Sequence, residues 1–367
     1  VSKPCWLAKR RVQKGLDING FFLSEIGLGE SARLYFLAAK SSNFAVNAIN
    51  RPLKGRQNAE DLIDAISDYP RYLCSLSVAG LKSFKGLSRA LCKQRYNIAL
   101  PYWELNTLSK KRVGHLEAFD EVWAPSSFIK QNLEQHLAGK PILLKQPVAI
   151  PGNSVIPDKS CRPLRILFFF DFDSFSARKN PEAAVRAFQT AFPGNKDVAL
   201  TIKTRGRKDS GRKTWLLNQA GQDRRINIID ETLSRKAVDE LLARSDVFLS
   251  LHRSEGFGLG CAEALAQGKI VVCTDYGGTT DFMSEDTGFP VAWRQVPVGE
   301  GEYVDAHGAT WAEPEIEHAA ECLKQIYDSP DDARRRALAG VDILRKNHDP
   351  KVIGERLAEM LTTRDLI

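Results

Sequence analysis

The sequence lacks the long apolar segments of a membrane-spanning protein. No window approaches the roughly 18 consecutive apolar residues of a transmembrane helix. Residues 1–15 carry charges where a signal peptide would have its apolar core. Low-complexity tracts and short internal repeats are missing as well. We therefore expect a folded cytoplasmic protein, either soluble or bound peripherally at the inner face of a membrane.

Paired metal-ligating or disulfide-forming cysteines are also missing. The seven cysteines are scattered singly, without a Cys-x-x-Cys pair or histidines at zinc spacing. This dispersion predicts reduced thiols and argues against both a zinc module and a disulfide framework. No Gly-x-Gly-x-x-Gly with a following acidic residue comes after the first predicted strand, which argues against a nucleotide-dependent dehydrogenase.

The chain is long enough for two domains and rich enough in apolar residues to give each a core. It has 367 residues, of which 43% are hydrophobic. Four prolines at positions 147, 151, 157 and 163 indicate a linker. We predict an N-terminal domain over residues 1–155, a C-terminal domain over 156–349 and a final helix over 350–367. Whether that helix returns to the first domain is left open.

Positive charge is concentrated in the first half of the chain. Residues 1–160 hold 23 Lys and Arg against 13 Asp and Glu, whereas the remainder holds 29 against 32. This imbalance suits an anionic partner, such as a membrane surface, a phosphorylated lipid acceptor or a nucleic acid. A solvated basic face with no partner is an equal alternative. No interleaved basic and aromatic motif supports the nucleic acid.

Short apolar strands alternate with helical patterns in both halves of the chain. In the second half the strands begin with the near-continuous apolar run at 164–170 and continue at 198–203, 226–229, 246–251 and 270–274. Predicted helices lie between them, among them 181–190, 235–243 and 259–267. The first half shows a weaker version of the same order, with helices predicted from Leu34 and over 59–67. The fold class is therefore α/β, with two Rossmann-like, doubly wound parallel sheets.

A glycine-rich turn in the second half follows an apolar strand and opens a helix. It lies in the segment from His252 to Lys269, with Glu255 before the turn and Glu263 inside the helix. Unpaired backbone N–H groups and the helix dipole favour an anion at such a place, and a diphosphate would fit. Two carboxylates near that turn could bind a sugar hydroxyl and a ribose. Tight packing alone is the alternative explanation of the glycines.

The pattern Glu255-Gly-Phe-Gly-Leu-Gly-Cys-Ala-Glu263 resembles the paired-glutamate signature of glycosyltransferase family 4, the retaining glycosyl transferases of group 1. Segments 200–203, 245–252 and 274–283 extend the resemblance over most of residues 164–290, and the N-terminal half is similar more weakly. The resemblance implies a GT-B fold, in which two Rossmann-like domains face a cleft. It also implies a nucleotide-sugar donor bound by the C-terminal domain.

The resemblance assigns roles to individual residues. Glu255 is expected to contact the transferred sugar and Glu263 the ribose, while Lys179 grips the donor diphosphate. The family's usual arginine five residues before that lysine is replaced by Ser174. The other expected donor-binding residues are Gly27 and Gly29 in a flexible N-terminal loop, Arg178 and Lys203 as assisting cations, Gly256, Phe257, Gly258 and Leu259 in the turn, and Asp230, Glu231 and Leu233 around the base.

Glu104, at the end of a predicted strand, is a candidate catalytic or acceptor-binding residue. His115 and His136 fall in predicted helices and are interpreted as ordinary surface residues. The sequence Asp171-Phe-Asp173 matches the spelling of a metal-binding pair, but its place after a strand favours a structural turn. We expect no metal and no cofactor, because cations and helix N-termini can stabilise the leaving diphosphate.

The hypothesis is transfer of a hexose from a nucleotide sugar to a hydroxyl with retention. Similarity of segment 276–283 to mannosyltransferase-like members makes GDP-mannose the expected donor, with UDP- and dTDP-sugars as alternatives. The expected acceptor is a bacterial surface polysaccharide, such as lipopolysaccharide, or its lipid-linked precursor. Two other classes stay open: a nucleotide-binding regulatory module without turnover, and a nucleic-acid-binding protein that uses the basic half.

Overall fold

The computed structural model describes residues 13–53, 66–152, 163–206 and 209–367. Contacts divide these residues into two compact units. The first unit contains the described part of Val1–Trp103, together with Leu108–Ala149 and Lys346–Ile367. The second contains Glu104–Thr107 and the described part of Ile150–Arg345. Four residues that follow a strand of the first unit are therefore counted with the second.

The first unit is built on a six-stranded parallel sheet. Its strands are β1 (Gln13–Gly20), β2 (Val46–Asn50), β3 (Tyr72–Gly80), β4 (Tyr96–Tyr102), β5 (Glu121–Ala124) and β6 (Ile142–Leu143). They pair in the order β2-β1-β3-β4-β5-β6, and every pair is parallel. A parallel sheet with short connections through helices is the doubly wound arrangement that the alternating pattern predicts.

The helices of this unit are α1 (Gly27–Lys40), α2 (Phe84–Arg89), α3 (Lys110–Leu116), α4 (Ser127–Glu134) and the C-terminal α12 (Pro350–Thr362). Ser126 caps α4, because its hydroxyl accepts a hydrogen bond from Ile129 N at 3.2 Å. Helix α12 packs on α1, and Ile353 and Leu357 join the core of the first unit. The final helix is thus part of the first unit.

The second unit repeats the architecture with a second six-stranded parallel sheet. Its strands are β7 (Leu164–Phe169), β8 (Val198–Thr204), β9 (Ile226–Asp230), β10 (Val247–Ser250), β11 (Ile270–Thr274) and β12 (Phe289–Val291). Their order is β12-β11-β10-β7-β8-β9. The chain leaves β7 towards β8 on one side and later returns to β10 on the other. The crevice between β7 and β10 is a topological switch point, where ligands bind in open α/β sheets.

The second unit has seven helices in its described residues and one small extra sheet. The helices are α5 (Ser176–Lys179), α6 (Pro181–Ala191), α7 (Ser210–Gln222), α8 (Arg235–Ala243), α9 (Leu259–Ala266), α10 (Ile316–Asp328) and α11 (Pro330–His348), the last of which ends in the first unit. Strands β13 (Trp293–Pro297) and β14 (Thr310–Pro314) form an antiparallel hairpin that is separate from the six-stranded sheet.

The two parallel sheets confirm the predicted fold class, and most predicted elements of the second unit lie within two or three residues of their observed ends. Two features of the first unit differ from expectation. Helix α1 begins at Gly27 rather than near Leu34, and β3 was not predicted because it carries serines at positions 75 and 77. The helix predicted over 59–67 lies largely outside the described residues. Among the described residues, no helix is long and apolar enough to cross a membrane.

Candidate active site

Glu255 lies five residues beyond the end of β10, and Lys179 and Arg178 follow β7, the neighbouring strand. Because carboxyl ends of parallel strands meet at one edge of a sheet, these side chains converge at the switch point. Glu255 is 8% exposed. Its Oε1 pairs with Lys179 Nζ, and its Oε2 lies 3.0 Å from Arg178 Nη1. The structure thus brings Glu255, the residue expected to bind the sugar, into contact with both predicted cations.

These contacts set the ionisation of the site. Burial favours the neutral form of Glu255, but Arg178 and Lys179 overcome it and lower the pKa of the carboxyl to about 2. Burial lowers the pKa of Lys179, and Glu255 opposes that shift. Burial would lower the pKa of Arg178 as well, but Glu255 and Glu104 raise it above its ordinary value. Glu255 and Arg178 are therefore charged at neutral pH, and Glu255 favours the charged form of Lys179.

Arg178 is turned towards the protein rather than away from it. Its Nη1 donates to the Ser254 carbonyl at 3.2 Å, and its Nη2 donates to Ser174 Oγ at 2.9 Å. Ser174, which replaces the family's usual arginine, thus holds the arginine that comes four residues later. The side chain of Arg178 is 6% exposed, whereas that of Lys179 is 20% exposed. Lys179 is accordingly the better placed of the two cations to reach a ligand.

The glycine-rich turn is shaped by close backbone packing. Gly258 has φ +86° and precedes the first residue of α9. A Cβ on Gly278 would lie 2.1 Å from the carbonyl oxygen of Gly256, and one on Gly277 would lie 2.5 Å from that of Glu255. Gly278 N also donates to the Glu255 carbonyl at 2.8 Å. Both segments need glycine because their backbones touch, so packing explains part of the motif.

The first turn of α9 has no side-chain cap. Leu259 is its first residue and is half-buried, while Phe257 is buried and packs on Phe282 with ring centroids 5.3 Å apart. Helix N-termini carry N–H groups without intrahelical partners and a partial positive charge. Gly256 and Gly258 keep side chains away from this point. An anionic group at the start of α9 would be stabilised by the helix.

A second buried cation, Lys203, lies at the end of β8. It is 8% exposed, and its ammonium has no hydrogen bond or ion pair with any described residue. Burial and the neighbouring Arg205 lower the pKa of Lys203, against the opposing charges of Asp171 and Glu231. The hydroxyls of Thr204 and Thr274, at the ends of β8 and β11, are buried and lack partners among the described residues. Polar groups of this kind indicate a ligand at the sheet edge.

Glu263 is 8% exposed and lies in α9. Its Oε1 accepts from Arg235 Nη1, and Arg235 also donates to Asp239 through Nε at 3.1 Å. The sequence singled out Glu263 but missed Arg235, because the two residues belong to different helices and share no local motif. A ribose hydroxyl at Glu263 would meet a carboxylate that already has a cationic neighbour.

The three residues predicted around the base lie at the end of β9. Asp230 and Glu231 are exposed, and Leu233 is half-buried. Asp230 forms an ion pair of 2.5 Å with Lys213, and Glu231 N donates to the Thr204 carbonyl at 3.1 Å. The structure therefore places them beside the end of β8, on the far side of Lys203 from β7.

Glu255, Arg178 and Lys179 form a charge cluster, and Glu104 of the second unit contacts it. Its Oε1 lies 3.5 Å from Arg178 Nη2, its Oε2 accepts from the Tyr303 hydroxyl, and its carbonyl accepts from Ser254 Oγ. Tyr303 is 8% exposed and was not among the predicted residues. It lies 199 positions from Glu104, so no sequence motif could have connected the two.

His252 is fully buried and comes three residues before Glu255 in the chain. Its Nε2 is 3.1 Å from the Tyr276 carbonyl, which can only accept, so this nitrogen carries the proton. Its Nδ1 therefore accepts from Ser250 Oγ at 3.1 Å. Burial lowers the pKa of His252 and keeps the ring neutral. The residue supports the loop that carries Glu255.

Asp171 and Asp173 form a capped turn. Asp171 Oδ1 accepts from Asp173 N at 2.8 Å, and its Oδ2 accepts from Arg205 Nε at 2.9 Å. Within the described ranges, no group of three or more His, Cys, Asp or Glu residues could hold a metal ion. The capping contacts agree with the structural turn favoured by the sequence.

The expected flexible loop at Gly27 and Gly29 is instead the start of a helix. Both residues lie in the first turn of α1, and this expectation was wrong on that point. A Cβ on Gly29 would lie 2.3 Å from the Ser24 carbonyl oxygen, whereas one on Gly27 would meet nothing within 4 Å. Gly29 therefore permits close packing against the preceding residues. Of the two glycines, Gly27 alone has open space where its side chain would be.

Comparison with known proteins finds a family model similar to most of the second unit. Residues 167–337, just under half of the chain, match the family model described as glycosyl transferases group 1. No curated protein sequence matches the chain significantly. Solved structures match it well: HepE of Anabaena in complex with UDP and glucose has TM-score 0.70 and 14% identity, over 96% of this chain and 100% of that chain.

Two further solved structures illustrate the range of similar proteins. Sucrose-phosphate synthase of Thermosynechococcus elongatus has TM-score 0.70 and 13% identity, over 96% of this chain and 99% of that one. A mutant of S. aureus TarM in complex with Fondaparinux, alpha-GlcNAc-glycerol and UDP has TM-score 0.60 and 13% identity, over 78% of this chain and 54% of that chain. These similarities and the two parallel sheets establish the GT-B fold. Residues 167–337 are thus similar to the glycosyl transferases of group 1, and the chain shares the GT-B fold of the solved glycosyltransferase structures.

Proposed function

We propose that the protein transfers a hexosyl group from a nucleoside diphosphate to an acceptor hydroxyl, with retention at the anomeric carbon. The observation that carries this proposal is Glu255, a buried carboxylate held between Lys179 and Arg178 beside the open N-terminus of α9. A carboxylate binds sugar hydroxyls, while a cation and a helix N-terminus bind phosphate. Retention is taken from the resemblance to family 4.

The diphosphate is proposed to lie between the first turn of α9 and the ammonium groups of Lys179 and Lys203. Lys203 supports this placement because it is a buried cation whose ammonium forms no ion pair or hydrogen bond with a described residue, although Asp171 and Glu231 lie near it. Lys179 would exchange its bond to Glu255 for one to a phosphate oxygen, which frees a carboxylate oxygen for the sugar. The charges of both lysines would stabilise the departing diphosphate, so we propose that catalysis needs neither a metal nor a cofactor.

Glu263 is proposed to bind the ribose, and residues around Asp230, Glu231 and Leu233 the base. Arg235 would keep the Glu263 carboxylate ionised and oriented, because it bridges Glu263 and Asp239. The half-buried Leu233 offers an apolar contact for one face of a base. These assignments depend on the diphosphate position, since ribose and base follow it along the sheet edge.

For the donor we propose a UDP-hexose in place of the GDP-mannose expected from the sequence. The reason is that HepE is solved with UDP and with UDP-glucose, and the TarM mutant is solved with UDP. A thermal-shift panel of UDP-glucose, UDP-GlcNAc, GDP-mannose and dTDP-glucose separates the candidates, because a ligand of the native state raises its melting temperature. Stabilisation by GDP-mannose alone would restore the earlier expectation.

The acceptor is proposed to be a glycan or a lipid-linked glycan, met at a membrane surface. Within residues 81–116 the chain has eight Lys and Arg and a single acid, Glu104, which is counted with the second unit. Helices α2 and α3 pack together and present exposed Lys85, Arg89 and Lys111. Such a surface attracts anionic headgroups. We therefore propose peripheral contact with the inner face of a bacterial membrane.

The test of activity uses Lys179→Ala and Glu255→Gln with UDP-glucose. Each should lower transfer, or donor hydrolysis where no acceptor is found, by about a hundredfold, because each removes charge aimed at the reacting groups. Lys324→Ala, an exposed lysine on α10, is the matched control and should keep wild-type rates. Binding of UDP-glucose without any turnover in the wild type would indicate a regulatory module. NMR of the product's anomeric proton tests retention.

A further inference from the structure

The hairpin of β13 and β14 carries a long loop that contacts the charge cluster from outside the parallel sheet. This hairpin loop, residues 298–309, joins Pro297 to Thr310 and holds Tyr303 near its middle. Tyr303 is 8% exposed although it belongs to a loop. Its ring packs on Phe175 with centroids 4.5 Å apart. A buried, packed tyrosine in a loop indicates a specific position for its hydroxyl.

That hydroxyl donates to Glu104 Oε2. A second contact holds the same segment, because Asn106 Nδ2 donates to Thr310 Oγ1 at 2.8 Å and Thr310 N donates to Asn106 Oδ1 at 3.1 Å. The hairpin therefore fixes the side chains of both Glu104 and Asn106. Ser254, the residue before Glu255, completes the attachment by donating to the Glu104 carbonyl.

Glu104 is in turn connected to the reacting end of the site. Its Oε1 is 3.5 Å from Arg178 Nη2, while Arg178 Nη1 is 3.0 Å from Glu255 Oε2. The contact with Arg178 is long, so the bond from Tyr303 is the closer restraint on the Glu104 carboxylate. Two carboxylates thus share one arginine, and Glu255 also pairs with Lys179.

Phe175, the ring under Tyr303, has φ +55°, a conformation that costs energy for a residue other than glycine. Strain of this kind persists where surrounding contacts enforce it, and the tilted Tyr303 ring is one such contact. Replacing Tyr303 by Phe keeps this ring contact and removes only the hydroxyl. The role of the hydroxyl can therefore be separated from the packing of the loop.

We propose that Tyr303 is a positioning residue, which holds Glu104 beside the Arg178–Glu255 pair so that Glu104 can bind the acceptor hydroxyl. This inference rests on the proposed glycosyl transfer and deepens it, because it assigns the acceptor end of the site to the hairpin loop. The donor end would be carried by Lys179, Lys203 and α9. Loss of the Tyr303 hydroxyl should then lower transfer to the acceptor and leave donor binding unchanged.

The experiment measures donor binding, donor hydrolysis and transfer in Tyr303→Phe, Glu104→Gln and the double variant. Tyr303→Phe should lower transfer about tenfold at saturating donor, with unchanged affinity for UDP-glucose and unchanged hydrolysis. The fraction of donor lost to water should rise. In the Glu104→Gln background the second change should add less than twofold, since both act through one carboxylate. Tyr327→Phe, a remote tyrosine of the same unit, should match wild type.

Additive effects of the two substitutions, or an unchanged ratio of transfer to hydrolysis, would overturn the proposal. A crystal structure of Tyr303→Phe gives an answer that does not need turnover: Glu104 should leave Arg178, and an unmoved carboxylate would contradict the positioning role. If the wild type neither binds nor hydrolyses any nucleotide sugar, the proposed function fails, while the crystallographic result still decides whether Tyr303 orients Glu104.

Discussion

Glu255 is the residue on which the electrostatics of the site depend. A carboxylate that is 8% exposed would not stay ionised without nearby cations, and Arg178 and Lys179 supply them. The two cations differ in accessibility: Arg178 is surrounded by protein acceptors, whereas Lys179 is half-buried. One cation therefore anchors the carboxylate, and the other remains able to exchange partners with a ligand.

Glu255→Gln should flatten the pH dependence of stability in mild acid. The pKa of Glu255 is about 2 in the folded protein against 4.5 ordinarily, so its stabilising effect is complete above pH 4.5 and is lost as pH falls towards 2. Between pH 6.5 and 3.5 the wild type should lose on the order of 1 kcal/mol more free energy of unfolding than the variant. Urea unfolding at the two pH values measures this difference. Glu317→Gln, an exposed site, should resemble wild type.

Lys179→Arg should change how the affinity for UDP depends on pH above neutrality. The pKa of Lys179 is lowered by burial, so its positive charge is lost as pH rises through a value below the ordinary 10.5. An arginine stays charged over that range. Calorimetric titrations with UDP between pH 7 and 10 should show affinity falling in the wild type and holding steady in the variant. Equal declines in both proteins would assign the loss of affinity to another group.

At this scale the sequence predicted the residues that share a local motif and missed those that join it from elsewhere. Glu255 and Glu263 were identified because they share one local motif, and Lys179 because it matches the family's lysine just before a helix. Tyr303 and Arg235 were not, because their partners are 199 and 28 positions away. Contacts between distant segments are set by tertiary packing, which no local pattern records.

At the scale of elements, the site depends on two loops that touch through their backbones. The turn before α9 and the turn after β11 approach so closely that glycine is required on both sides. The carbonyl of Glu255 is fixed by Gly278 N, so the position of the glutamate depends on the neighbouring turn. The helix N-terminus and the carboxylate are thereby held in one arrangement.

Gly278→Ala should therefore damage the site and the fold together. Its Cβ would lie 2.1 Å from the Gly256 carbonyl oxygen and 2.4 Å from Phe257 Cα, and these backbone atoms cannot move aside cheaply. We expect a loss of about 2 kcal/mol or more in the free energy of unfolding and a lower affinity for UDP-glucose. Gly221→Ala in α7, where a Cβ meets nothing within 4 Å, should be neutral or stabilising by up to about 1 kcal/mol. A tolerated Gly278→Ala would contradict the close approach.

The elements that the sequence predicted well are those whose apolar pattern is uninterrupted. Strand β7 and helices α8 and α12 agree closely with expectation because burial on one or both faces determines their composition. Helix α1 was expected to begin later, since its first turn contains Gly27 and Gly29, which disfavour helix in isolation. Close packing at Gly29 outweighs that preference. The β13–β14 hairpin lacked a recognised turn signal.

For the whole molecule, the uneven charge of the chain suggests where it meets its acceptor. Lys85→Glu combined with Lys111→Glu should weaken binding to vesicles containing anionic phosphatidylglycerol by at least tenfold, because each Lys or Arg near such a surface is worth about 1 kcal/mol. Co-sedimentation at low salt measures it, and added salt should release the wild type. Lys196→Glu with Lys324→Glu, on exposed sites of the second unit, should bind as wild type does. Equal loss in both pairs would indicate a nonspecific charge effect.

The two-domain GT-B architecture was predictable because each half repeats an alternation of strands and helices, and because one half carries a specific family motif. The sugar and the acceptor were not, since their recognition depends on side chains brought together from several loops. Glu104 illustrates the difference. Its sequence position placed it after a strand of the first unit, yet its contacts are with Arg178 and Tyr303 of the second.

The central claim is that Lys179 and Glu255 divide the donor between them, the lysine binding diphosphate and the glutamate binding sugar. Isothermal titration of wild type, Lys179→Ala and Glu255→Gln with UDP and with UDP-glucose tests it directly. Lys179→Ala should lose affinity for both ligands. Glu255→Gln should still bind UDP but lose the additional affinity that glucose provides. Wild-type affinities for both ligands in both variants would contradict the account.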